Sequence, residues 1–224
     1  MQEIFSGKEA LANSLASTIS RPRLYRYMTE TGGNKISALS LYHWNTELSK
    51  AMYLPVQIWE VALRNRLNTF LERRYGADWP YDTRVAVRQF TNMDAEKVEA
   101  AKQRQQRYRR LRQPPTGSIV ADLSAGFWVS LLSDSYEIPF GWKTAIGRVF
   151  SYDAGLDRPT AHGLCIRMLD IRNRIAHHEP IYHLALTDYR ADAERLIKGM
   201  CQGSHLYLAG KCELAAAVEA RPAV

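Results

Sequence analysis

Arg172 and His177 stand five residues apart in the string Asp170-Ile171-Arg172-Asn173-Arg174-Ile175-Ala176-His177-His178-Glu179-Pro180, and their types suit chemistry on a phosphate. An imidazole exchanges protons near neutral pH, so it can take the proton of a ribose 2′-hydroxyl or protonate a leaving oxygen. A guanidinium donates two parallel hydrogen bonds to a phosphate and can hold the extra charge of its transition state. The pair could therefore cut RNA with no metal and no cofactor, leaving a 2′,3′-cyclic phosphate and a 5′-hydroxyl. DNA, lacking the 2′-hydroxyl, would be spared. The competing reading is an ordinary helix end, where basic side chains meet the carbonyl dipole.

If a helix runs through this string, Arg172 and His177 lie about 140° apart around it. They converge only if the last turn loosens, which Pro180 favours, or if a partner helix closes the site. An Arg followed four to six residues later by His is expected roughly once or twice by chance in a chain of this composition, so the spacing alone means little. The trailing residues make the string specific.

The elements that must position this string read as helices. Ser6 and Glu9 have the spacing of a capping box ahead of Ala10, Leu11 and Leu15. A second helix begins near Ser20 with Pro22 in its first turn, and Gly32 and Gly33 end it. From Ile36 to Tyr75 apolar residues recur at three and four, giving two helices or one kinked at Pro55. Residues 76–93 read as a loop or short helix, and Asp94 opens a polar helix to about Arg112. Pro114, Pro115 and Gly117 stop it. SIVADLSAGFWVSLLS then reads as one apolar helix, in which Ala121, Ala125 and Gly126 would permit close packing. Residues 133–157 read as loops around a short helix at Trp142–Phe150. A long helix follows from Pro159 to about His177, with Leu164, Met168, Ile171 and Ile175 on its buried face. Thr187 caps the last, which ends near Met200. No internal repeat and no strand alternation is present, so the expected architecture is all-α, a helical bundle. A single domain spans 1–202, and the tail 203–224 carries no structural signal.

The 224 residues are 46% hydrophobic, enough for a sizeable core, and 30 Lys plus Arg against 23 Asp plus Glu give a net charge of +7, which attracts polyanions. Residues 102–112, KQRQQRYRRLR, hold six basic residues and no acid. They read as a solvated face or as an RNA-binding arm of Lys102, Arg104, Arg107, Arg109, Arg110 and Arg112, with Tyr108 able to stack on a base. Three cysteines without a C-x-x-C pair suggest reduced thiols. His178 and His183 have Pro180 between them and no third ligand, so no metal site is expected. The first residues lack a signal-peptide pattern, and no apolar run reaches the roughly 20 residues of a membrane span, so a cytoplasmic place is expected.

The whole string, in the form R-N-x-x-A-H-H-E-P, resembles the signature of the HEPN superfamily and its Abi-like (abortive infection) branch. The likeness extends to LYHWNTELSKAMYLPVQIWEVALRNRLNTFL, with Glu60 four before Arg64 and Asn65, and to SIVADLSAGFWVSLL, so that it covers about residues 15–200. It implies a HEPN-type bundle with additional N-terminal and peripheral helices. It also implies a ribonuclease of an abortive-infection or toxin-antitoxin system in antiviral defence. Arg172 and His177 would be catalytic, with Asn173, His178, Glu179, Glu60 and Arg64 supporting them. The resemblance further implies a homodimer with motif helices facing a shared cleft, RNA as substrate and a cognate protein or RNA antitoxin as partner. The rival reading is a HEPN module that binds RNA or a nucleotide without cutting it, or that serves as partner of a separate effector.

Overall fold

The computed structural model describes residues 9–223. The chain is all-α, with no strand among the described residues. The helices are α1 (Glu9–Ile19), α2 (Arg21–Glu30), α3 (Lys35–Tyr75), α4 (Thr83–Gln89), α5 (Asn92–Arg109), α6 (Thr116–Asp122), α7 (Ala125–Ser130), α8 (Glu137–Phe140), α9 (Trp142–Ala145), α10 (Arg158–Ala176), α11 (Leu186–Met200), α12 (Gln202–Ala209) and α13 (Leu214–Glu219). Short 3₁₀ turns precede α4 and α8 and follow α9. No helix among the described residues is long and apolar enough to cross a membrane. Ser6, the expected cap of the first helix, lies outside the described residues.

The chain divides into two compact units, one of Met1–Leu54, Arg172–Asp188 and Lys211–Val224, the other of Pro55–Ile171 and Tyr189–Gly210. In the first, Leu24 and Tyr27 of α2 are buried, as are Leu39, Leu41, Trp44, Leu48 and Met52 of α3 and Ile181, Tyr182 and Leu214. Tyr27 meets Tyr42 edge-on at 5.4 Å and Tyr182 at 5.3 Å. The tail that carried no sequence signal holds α12 and α13, and Trp44 Nε1 donates to Ala217 O at 2.7 Å, which ties α13 into this unit.

The second unit is built on aromatic rings. Phe70 packs on Trp142 at 4.7 Å, and Tyr136 stacks on Phe140 at 4.8 Å. Asp94 is buried among them, yet four neighbours answer its carboxylate: the Tyr136 hydroxyl at 2.7 Å, Ser130 Oγ at 3.0 Å, Thr91 Oγ1 at 3.2 Å and Lys97 Nζ at 2.7 Å. Those donors replace the water that a buried charge loses.

Of the two alternatives at Pro55 the chain takes the single helix, since α3 is continuous over 41 residues with Pro55 inside it. Several expectations need correcting. The apolar stretch 118–133 is not one helix: Leu123 is extended, and Ser124 restarts the chain as an N-cap, its Oγ accepting from Phe127 N at 3.3 Å. Ala121 is consequently exposed rather than packed, while Ala125 is buried. Asp94 does not open α5, because Thr91 caps it with Oγ1 accepting from Asp94 N at 3.2 Å. Arg110, at φ 54, ends α5 three residues before its expected limit. On α10 the buried positions are Ala161, Cys165, Met168 and Ile171, with Leu164 and Ile175 half-buried. Burial pushes the Cys165 thiol up to about 12, so it packs as an inert apolar group.

Candidate functional site

The helix carrying the motif does not loosen before His177. Its last regular bond runs from His177 N to Asn173 O at 2.9 Å. The chain then turns through His178 N to Ile175 O at 3.1 Å and Glu179 N to Arg174 O at 2.8 Å. These two bonds form a Schellman motif, whose left-handed position is normally a glycine or asparagine. Here it is His178, at φ 57. Holding a larger residue there costs about 1 kcal/mol or more, so surrounding contacts must fix the turn.

Two residues from elsewhere in the sequence do so. Arg23 of α2 donates from one guanidinium nitrogen to His177 O at 3.3 Å and His178 O at 3.0 Å, covering carbonyls that the helix end leaves open. Asn45 of α3 is buried, and its Oδ1 accepts from Ile181 N at 2.7 Å and Tyr182 N at 3.1 Å. Its Nδ2 donates to Glu179 O at 3.5 Å. The Tyr182 hydroxyl donates to Glu30, and burial together with that carboxylate pushes the phenol up to about 12.

His177, His178, Glu179 and Pro180 form one side of an open cleft of about 600 Å³, with Arg174 beside them and Ser20, Pro22, Arg23 and Arg26 opposite. His177, Arg23 and Arg26 are exposed there. Arg174 pairs loosely with Glu179 at 3.8 Å. A second cavity of about 460 Å³, with Tyr42, Thr46, Ser49 and Tyr53 in its wall, is also bordered by His178. Arg172 is half-buried on α10 and is not part of the cleft wall. Because the helix stays regular to its end, Arg172 and His177 keep their separation of about 140° within one chain. Asn173 is exposed, and orientation of the turn comes from Arg23 and Asn45.

The remaining candidates belong to the second unit. Glu60 and Arg64 are both half-buried on α3, where Arg64 Nε lies 3.5 Å from Asn65 Oδ1. The basic run on α5 is less free than its sequence suggests. Lys102 pairs with Glu99 at 2.6 Å, and Arg104 pairs with Asp122 at 2.8 Å. Arg107 Nε donates to Gln103 O and Arg109 Nε to Gln105 Oε1. Arg110 and Arg112 lie beyond the helix, and Tyr108 is 83% exposed, with its ring available to solvent.

Sequence reasoning missed Arg23, Arg26 and Asn45. Asn45 did carry a signal, since it falls on the same buried stripe as Leu41, Leu48 and Met52. A polar residue at such a position demands partners. Arg23 carried none, because its bonds span 154 and 155 residues.

Compared with models of protein families, with curated proteins and with solved structures, the chain gives no match in any of the three.

Proposed function

We propose that this protein is a metal-independent endoribonuclease of the HEPN, Abi-like type, in which His177 moves the proton and Arg172 holds the scissile phosphate. The observation that carries the reading is the placement of the R-N-x-x-A-H-H-E-P string. It ends a helix on a strained turn, held by Arg23 and Asn45, that presents His177 to an arginine-walled cleft. A proton-transfer group needs that combination of access and fixed orientation. His177 would accept the 2′-hydroxyl proton as the oxygen attacks phosphorus, and the P–O5′ bond breaks as a second acid protonates the leaving oxygen. One regular helix keeps Arg172 and His177 apart, so the reading calls for a homodimer whose two motif helices face each other. The role follows the same reading: RNA cleavage in an abortive-infection or toxin-antitoxin response, restrained by a cognate protein or RNA.

The separation of Arg172 from the cleft within one chain also favours a second reading, a module that binds RNA or a nucleotide without cutting. Incubating mixed RNA in EDTA with wild type, Arg172→Ala and His177→Ala separates the two. The nuclease reading expects each variant to lose at least about a hundredfold in rate. Each should keep its helical circular dichroism. Mixing the two dead variants should restore part of the activity, since a hybrid dimer has one cleft with both an Arg and a His. Equal cutting by all three would sink the catalytic assignment. Binding with no cutting by any of them would support the module.

A further inference from the structure

We propose that Arg23 and Arg26 of α2 form a phosphate subsite beside His177, which holds a backbone phosphate of a single RNA strand next to the one that is cleaved. The position relative to cleavage rests on the nuclease reading; the phosphate binding does not. Arg23 and Arg26 are three residues apart on α2, so they share one face, and both are exposed on the cleft wall opposite His177. Arg23 is oriented by its two bonds to the His177 and His178 carbonyls, which use one terminal nitrogen. A guanidinium carries five N–H donors in a planar fork, so the second terminal nitrogen can serve an anion without releasing the turn. Arg26 lies over the Tyr182 ring, its guanidinium carbon 5.8 Å from the centroid. That ring is itself fixed by the hydroxyl bond to Glu30 and the backbone bond to Asn45.

The charges facing the cleft are Arg23, Arg26 and Arg174 against Glu179, with Glu30 behind Tyr182. Three guanidinium groups thus border the cleft with one carboxylate, and these groups also act on His183: burial first, then Arg26 and Arg174, hold its imidazole below the ordinary histidine value, with Glu30 opposing. Backbone strain gathers here as well. Three residues other than glycine have positive φ among the described residues, and two of them, Ser20 at φ 82 and His178 at φ 57, line this cleft. Such conformations persist where the surroundings over-determine them. A phosphodiester strand fits these walls better than an acidic peptide does, because arginine forks match phosphate geometry and the neighbouring group is a proton carrier suited to a ribose hydroxyl.

The test uses the full chain and a fluorescein-labelled oligouridylate methylated at every 2′-oxygen, which cannot be cut by 2′-hydroxyl attack. Its affinity is followed by anisotropy as KCl is raised. Arg26→Gln removes a cation but no backbone bond, and Arg23→Lys keeps charge but loses the fork. Arg26→Gln should weaken binding about tenfold at low salt. It should also lower the salt slope by about 0.7, the value for one single-strand phosphate contact. Arg23→Lys should weaken binding several-fold with little change in slope. Unchanged affinity and slope for both variants, with melting temperatures unaltered, overturns the subsite, as does a wild type that does not bind the probe. A slope that falls only when Arg107, Arg109, Arg110 and Arg112 are changed together to Gln overturns it too. A parallel assay on unmodified RNA keeps the two ideas apart. Arginine-dependent binding without any cutting leaves the subsite standing and removes the nuclease reading. Cutting that is indifferent to both arginines does the reverse.

Discussion

Two arginine-rich surfaces, one at α2 and the motif turn and the other at the end of α5, look alike in sequence and differ in how their charges are held. On α5, Lys102 and Arg104 are matched by Glu99 and Asp122, Arg107 and Arg109 stand on an exposed face of that helix, and Arg110 and Arg112 are exposed beyond its end. At the motif, the guanidinium of Arg23 is fixed by the carbonyls of another helix's end, and that of Arg26 sits over a buried tyrosine. A run of like charges supplies long-range attraction, whereas oriented forks around a fixed turn supply a site. Density of charge in a sequence is therefore a poor guide to where a phosphate is gripped.

The largest expected effect distinguishes a turn held by long-range bonds from a run held by its own helix. Asn45→Ala removes the acceptor of two buried backbone N–H groups, at Ile181 and Tyr182. Each stranded donor costs about 1–3 kcal/mol, so the melting temperature should fall by several degrees. If Asn45 also positions His177, kcat for RNA cleavage should fall more than KM changes, and Asn45→Asp, which keeps the acceptor oxygen, should recover part of the rate. The fourfold Gln variant of α5 should leave both stability and kcat unchanged. A stable Asn45→Ala protein with normal kcat would show that the turn holds itself.

The helix pattern and the end of the motif were legible in the sequence because both are local. Apolar spacing of three and four marked α3 and α10, the polar run after Asp94 marked α5, and Pro180 and the glycines marked helix ends. The break at Leu123 and Ser124 was hidden because one apolar run can serve two short buried helices as well as one long one. The cleft was hidden for a different reason. Its motif wall is contiguous, but the opposite wall comes from Ser20 to Arg26, brought there by folding alone.

A smaller effect compares the two places among the described residues where a helix ends on a left-handed residue other than glycine, Arg110 at φ 54 and His178 at φ 57. Glycine at either position relieves the strain, and each substitution should stabilise the protein by about 1 kcal/mol, or about 2–4 °C in melting temperature. The consequences for RNA should diverge. Arg110→Gly leaves cleavage intact, whereas His178→Gly lets the turn wander and lowers kcat while the protein becomes more stable. Equal kinetics for both would show that strain at His178 is incidental.

The smallest expected effect is read at His183, which senses the motif side alone. Burial is the main cause of its depressed pKa, with Arg26 and Arg174 adding to it, so Arg26→Gln should raise the value part of the way toward the ordinary one. The sign for stability follows from the proton balance. A histidine depressed in the fold stays neutral there while the unfolded chain takes up a proton near pH 6.5, at the ordinary value. Its contribution is therefore present above about pH 6.5 and lost as pH falls toward the folded value. In Arg26→Gln that window narrows, and the loss of stability on acidification becomes shallower. NMR titration of the His183 ring protons measures the shift directly, and urea melts across the same pH range measure its consequence. The fourfold α5 variant should leave the His183 titration where it was. If Arg26→Gln also leaves it there, Arg26 does not act on His183 and is a surface cation like those of α5.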